Sequence, residues 1–199
     1  KKHKPMIIST GVADLDDIQL ALDTCYKEGN YDISLLKCTS EYPATYEQAN
    51  LLTIPDMIHR FGIPVGVSDH TMGSLVPIVA VSLGATIVEK HFILSRTNGG
   101  PDSAFSMEPN EFREMVDSIR NVERALGNVK YDITDYQRGK RRSLYARTDI
   151  HCGDVFTDQN VGSYRPGVGL SPQYWDQIMG KTCKREIVKG DVLRQEDLK

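Results

Sequence analysis

The 199-residue chain has no apolar run approaching the ~20 residues needed to span a bilayer, and its start, KKHKP, lacks the apolar stretch of a signal peptide. Its four cysteines, Cys25, Cys38, Cys152 and Cys183, contain no CxxC pair and are too few for a disulfide scaffold, which argues against the common zinc and dithiol motifs. No G-x-G-x-x-G fingerprint marks a dinucleotide site. Positive charge is in short supply as well. The 24 Lys and Arg stand against 27 Asp and Glu, a formal net charge of -3, so no overall basic field would hold nucleic acid or an anionic membrane. The local cluster Arg138, Lys140, Arg141, Arg142 is the exception and reads as a solvated linker face. These absences leave the expectation of a cytoplasmic protein with reduced thiols and with neither nucleic acid nor membrane as a partner.

What remains is an ordinary globular composition, 40% hydrophobic and 26% charged, with enough apolar residues for a buried core. Over 1–126 strand-like runs alternate with helical stretches. MIIST (6–10) precedes a helix in 14–29 whose Leu15, Ile18, Leu22 and Cys25 share a face. DISLLKCTS (32–40) precedes a helix expected through 46–62, and PVGVSDH (64–70) an apolar helix in 73–85. TIVEKHF (86–92) is followed by a Gly-rich loop and a helix over 108–127. Strands separated by helices of this length imply parallel neighbours. Four βα units without a dinucleotide fingerprint predict an α/β fold that is the C-terminal half of a TIM (β/α)8 barrel, with about four preceding units outside the chain.

The stretch 127–142 is polar and reads as a linker. Beyond it, over 143–199, short β-type runs contain an internal repeat: IHCGDVFTDQNV (150–161) and IVKGDVLRQEDL (187–198) align without a gap at an offset of 37. Two copies of a β-turn unit predict a compact pseudo-two-fold β module. SYRPGVGLSP (163–172) joins the copies and presents Arg165 outward.

Each strand ends in chemically capable residues: Ser9-Thr10, Cys38-Thr39-Ser40, Ser68-Asp69-His70 and Glu89-Lys90-His91. That places a site at the carboxyl end of a parallel sheet. His70 and His91 on neighbouring strand ends are either a hydrogen-bonded pair or the ligands of one divalent ion whose other positions go to water and substrate, a pattern that suits Mn²⁺ or Mg²⁺. Ser9, Thr39, Ser40 and Ser68 offer hydroxyls for a phosphate or carboxylate. Strand alternation groups Glu89 with His91 and Ser68 with His70, and turns Lys90 and Asp69 the other way. Glu89 is therefore the catalytic candidate, and Lys90 is expected in a structural ion pair. Asp102 is the only acid in the loop NGGPDSAFSMEP (98–109) before its closing Glu108.

Six motifs in order, ISTG (8–11), LLKCTSEYP (35–43), PVGVSDHT (64–71), GATIVEKHF (84–92), GGPDSAFSMEP (99–109) and SYRPGVGLSP (163–172), resemble the sialic acid synthase family, whose members condense phosphoenolpyruvate with an N-acetylated amino sugar. The 99–109 loop lacks the His and Lys that sialic and legionaminic acid synthases tend to carry there, and is most like that of the pseudaminic acid synthases, which use a 6-deoxy-2,4-diacetamido hexose. The C-terminal segment resembles the SAF domain, the small β-clip fold shared with fish type III antifreeze proteins.

The resemblance implies that His70 and His91 hold a divalent metal, usually Mn²⁺ with Mg²⁺ or Co²⁺ as substitutes. It also implies that Ser9 and Ser68 contact phosphoenolpyruvate, with Ser40 a further substrate-binding residue, and that Tyr42 and Asp102 line the sugar site. The resemblance further implies that Glu89 acts as base or orients water, and that Arg165 reaches the N-acetyl group from the partner subunit of a domain-swapped homodimer. The family's first half-barrel supplies an acid and lysines to the same site, so the 199-residue chain alone is expected to be inactive. The rival readings are a sialic or legionaminic acid synthase, a non-catalytic carbohydrate-binding protein, and an unrelated barrel metallohydrolase, which would want more protein ligands.

Overall fold

A computed structural model describes residues 4–198, in two compact units divided between Asn128 and Val129. In the first unit four strands, β1 (Met6–Ser9), β2 (Ile33–Cys38), β3 (Val65–Asp69) and β4 (Val88–Lys90), pair in parallel and in chain order. Each is followed by a helix: α1 (Leu15–Lys27), α2 (Thr53–Phe61), α3 (Leu75–Ser82) and α4 (Pro109–Leu126). Local chemistry sets the helix starts. Asp14 and Asp17 form a reciprocal capping box on α1, and Glu108 and Glu111 form one on α4, where Pro109 takes the first helical position.

Register divides the sheet into two faces. Ile8, Ile33, Leu35, Val65, Val67 and Val88 point to the helices and pack with Leu22, Ile54, Met57, Val76 and Ala80 in one core. The opposite face carries the rows Ser9, Leu36, Gly66 and Cys38, Ser68, Glu89. Sequential parallel strands with their helices packed on one face form a curled half-barrel, and the second face is its inner wall. That wall is tight at Gly66, where a Cβ would stand 2.4 Å from the Ile87 carbonyl oxygen and 2.6 Å from a Leu36 methyl.

The helix expected over 46–62 begins only at Thr53. Asn50 adopts φ 43°, in the left-handed region that a right-handed helix cannot include, and its side chain bonds the Gln48 carbonyl. The stretch 127–142 read as linker contains a short helix, α5 (Asp135–Gly139), capped by Thr134 and Gln137.

In the second unit β5 (Ser143–Ala146) and β6 (Val161–Tyr164) pair antiparallel, and α6 (Trp175–Ile178) follows. The internal repeat appears as a pseudo-two-fold hydrogen-bond pattern. Ile150 and Ile187 exchange both backbone bonds on the axis. Around them Phe156 N–H to Lys181 O is matched by Leu193 N–H to Leu144 O, and Cys183 N–H to Asp154 O by Ala146 N–H to Asp191 O. Gly153 and Gly190 take equivalent places at φ 95° and 93°, a conformation that disfavours any residue with a Cβ. Phe156, Ile150, Ile187 and Leu193 fill the core between the copies. Among the described residues no helix is long and apolar enough to cross a membrane.

Candidate active site at the strand ends

The two histidines are adjacent because their strands are. Asp69 and Lys90 are register partners at the ends of β3 and β4, and His70 and His91 are the next residues. Their ring centroids lie 5.2 Å apart at 70°. His70 is buried, and its Nδ1 is 2.7 Å from the Thr39 carbonyl oxygen. A carbonyl only accepts, so Nδ1 carries the proton and Nε2 keeps the lone pair that a metal or a hydrogen-bond donor would use.

Around the pair stands an aromatic wall. Tyr42 lies over His70 with centroids 4.1 Å apart and meets His91 at 5.9 Å, and Phe105 packs against His91 at 5.0 Å and against Tyr42 at 6.1 Å. Phe105 comes from the 98–109 loop, which folds back on the chain after β4: Met107 N–H bonds the His91 carbonyl, and Ile93 N–H bonds that of Met107. The loop is anchored at its far end by Arg96, which bonds Glu108, the Ser106 carbonyl and Glu111. The Glu108 backbone N–H, followed by the Arg96 guanidinium, holds the Glu111 carboxyl below the usual carboxylate range. This loop brings Asp102 to 3.6 Å from His91 Nδ1, with both side chains partly open to solvent.

On the inner wall Ser68 Oγ donates to Glu89 Oε1 at 2.6 Å. The alternation argument therefore holds in space: Glu89 and Ser68 share one face while Lys90 and Asp69 pair on the other. A serine hydroxyl has one proton, and in this arrangement that of Ser68 goes to Glu89 and orients it. The Thr39 hydroxyl is engaged as well: it accepts from Lys37 Nζ at 2.7 Å and donates to the Gln48 carbonyl.

The remaining candidates are less concentrated. Ser9 ends β1 on the inner face one pleat below the Cys38–Ser68–Glu89 row, and Ser40 lies beside Gly11, where an added Cβ would be 3.2 Å from Ser40 Oγ. Both are exposed. Arg165 belongs to the second unit, exposed just after β6, where it lines a cavity of about 380 Å³ with Tyr145, Arg147, Tyr164 and Lys189. The structure thus gathers His70, His91, Tyr42 and Asp102 into one cluster and Ser68 with Glu89 into a pair. Sequence reasoning missed Thr39 as the carbonyl partner of His70, a backbone contact that no residue type signals. It also missed Lys37, buried on the helix-facing side, where desolvation holds its ammonium below the ordinary lysine range against the opposing pull of Cys38 and Asp69.

As a donor set the cluster offers two imidazoles, and among the described residues no group of three His, Cys, Asp or Glu side chains could hold a metal. Two imidazole nitrogens fit an ion that completes its shell with water and substrate, and do not fit a closed structural site.

A parallel βα half-barrel that brings paired imidazoles and an oriented carboxylate to its strand ends, in a chain that continues into a pseudo-two-fold β unit, defines an α/β protein with its polar side chains gathered at one edge of the sheet. Residues 1–131 match the NeuB family and residues 141–199 match the SAF domain. The chain belongs to the NeuB family. It is 41% identical over 202 residues to the pseudaminic acid synthase of Campylobacter jejuni subsp. jejuni, covering 100% of this chain and 59% of that protein. It is 40% identical to the pseudaminic acid synthase of Helicobacter pylori, again over 100% of this chain and 59% of that protein. The crystal structure of the spore coat polysaccharide biosynthesis protein SpsE from Bacillus subtilis superposes with a TM-score of 0.61 at 31% identity, covering 99% of this chain and 62% of that one. The chain thus spans about three fifths of the length of the relatives it matches.

Proposed function

We propose that the protein to which this chain belongs is a cytosolic synthase that condenses phosphoenolpyruvate with the open-chain form of a 6-deoxy-2,4-diacetamido hexose, giving pseudaminic acid and phosphate. Its chemistry sits at the mouth of a (β/α)8 TIM barrel whose second half is the first unit, and the second unit is a β-clip SAF domain. The observation that carries this reading is the side-by-side placement of His70 and His91, with Glu89 oriented by Ser68 on the inner wall of the same strand ends. Similarity to proteins named pseudaminic acid synthase supports the choice of sugar.

His70 and His91 are the residues that would hold the divalent ion, Mn²⁺ by preference and Mg²⁺ or Co²⁺ as substitutes. When bound, such an ion supplies Lewis acidity to the sugar aldehyde. Tyr42 and Phe105 wall the imidazoles on one side and leave His91 open to substrate, and Asp102 accepts hydrogen bonds from sugar hydroxyls. Ser9 and Ser40 donate to the phosphoenolpyruvate anion. C3 of phosphoenolpyruvate forms the new bond to the aldehyde carbon, and the aldehyde oxygen gains a proton. Water then adds at C2, and the C2–O bond to phosphate breaks. Glu89 Oε1 accepts from Ser68, which leaves Oε2 to orient that water and take its proton. Arg165 is supplied from the SAF domain of a second copy in a domain-swapped homodimer and binds an N-acetyl carbonyl.

The test is phosphate release by the intact protein with Mn²⁺ and phosphoenolpyruvate, comparing the 6-deoxy-diacetamido hexose, N-acetylmannosamine and no sugar. Release with the 6-deoxy sugar alone, lost in His70→Ala, is the expected result. Release with N-acetylmannosamine keeps the chemistry and reassigns the sugar. Release with neither overturns the synthase reading in favour of a binding protein.

A further inference from the structure

Asp69 and Lys90 place two charges where the sheet needs none. They are register partners on the helix-facing side, with side chains 1% and 0% exposed and Lys90 Nζ 2.5 Å from Asp69 Oδ2. One pleat below, Val67 and Val88 make the same cross-strand pair with apolar side chains. A buried ion pair is generally no more stabilising than an apolar pair of similar volume, so fold stability alone does not account for it.

Its other bonds do. Asp69 Oδ1 accepts the Thr71 N–H at 2.9 Å, and Lys90 Nζ also donates to the Thr71 carbonyl. Both backbone groups of the residue after His70 are thereby held by side chains from the residues directly before His70 and His91. His70 itself is fixed by its carbonyl, which accepts from Ala44 N–H, and by its ring bond to Thr39. One ion pair therefore ties together the backbone that carries both imidazoles.

We propose that Asp69 and Lys90 are positioning residues that set the spacing and orientation of His70 and His91, and through them the affinity of the site for a divalent cation. The cation half of this statement rests on the metal reading above. The pair touches neither imidazole directly and acts through the Thr71 peptide and the two strand ends.

The experiment uses the full chain with two double variants. Asp69→Leu/Lys90→Met removes both charges at similar volume, and Asp69→Asn/Lys90→Met keeps an oxygen for the Thr71 N–H while removing the cross-strand pair. Three readouts are needed: the thermal midpoint, Mn²⁺ affinity from the EPR signal of free Mn²⁺, and the imidazole ¹⁵N shifts of the metal-free protein, which report ring tautomer. The expected result is a midpoint near or above that of the parent, a Mn²⁺ Kd raised about 10–100-fold, and erosion of the His70 tautomer with a proton on Nδ1. Folded variants with parental Mn²⁺ affinity and parental imidazole shifts overturn the proposal. Failure of both variants to fold also overturns it, because the pair is then structural. If the parent takes up no Mn²⁺, or His70→Ala leaves uptake unchanged, the metal reading fails, and the imidazole shifts alone decide whether the pair positions the rings.

Discussion

Glu89 and Ser68 show how much of the site resides in single atoms. The Ser68 hydroxyl holds one carboxylate oxygen, and under the proposed reaction the other serves water, so Glu89→Gln is expected to lower kcat by about 10²–10⁴-fold, with the KM for phosphoenolpyruvate little changed. Steady-state kinetics on the intact protein checks this, and an equal loss expressed in KM would place Glu89 in binding instead. A second residue-scale expectation concerns the other unit. His151 Nδ1 lies 2.7 Å from Glu186 Oε2, and that carboxylate, by hydrogen bond and by charge, raises the imidazole pKa above its ordinary 6.5. A raised folded pKa means that the pair's contribution is complete below the unfolded value and is lost as pH rises through the folded one. An NMR titration should give a His151 midpoint above 6.5 that returns toward 6.5 in Glu186→Gln, and an identical midpoint in the two proteins would dissociate the shift from the pair.

At the scale of elements the strands do most of the positioning. A parallel register that pairs Asp69 with Lys90 forces the following histidines together, and the period of two then decides which neighbours share the inner wall. Gly66 sits in that wall with a carbonyl and a methyl inside the space of a Cβ, so Gly66→Ala has to push β3 away from Ile87 and Leu36. Destabilisation of about 1–3 kcal/mol is expected, read as a lowered thermal midpoint, and an unchanged midpoint would mean that the wall yields without cost. Alternation made the strand faces legible in the sequence down to Ser68 with Glu89. The start of α2 was not legible, because the pattern over 46–62 suits a helix and the left-handed Asn50 that delays it is a backbone conformation.

For the whole molecule the proposed homodimer can be tested directly. If the active form is a homodimer with exchanged SAF domains, mixing His70→Ala with Arg165→Ala subunits restores activity that neither shows alone. With random exchange, half the dimers are mixed and each has one intact site, so the mixture should approach about one quarter of parental activity. No recovery after verified exchange would put Arg165 and His70 of each site on the same chain, or remove Arg165 from the site. The repeat at an offset of 37 was visible in Ile, Gly-Asp-Val and the closing acid-rich aliphatic turn, and the bonds that Leu144 and Lys181 make across the axis extend it to a pair of residues unlike each other.

By itself the sequence determined the order of elements, the faces of the strands, the imidazole pair at the strand ends and the repeat, because each of these is periodic or local in the chain. Only the tertiary structure decided that Thr39 lends a carbonyl to His70, that the Ser68 proton belongs to Glu89, that the 98–109 loop folds Phe105 and Asp102 onto His91, and that Asp69 and Lys90 grip the Thr71 peptide. These depend on distances between segments far apart in the chain and on backbone groups that every residue carries, so no pattern of side chains encodes them.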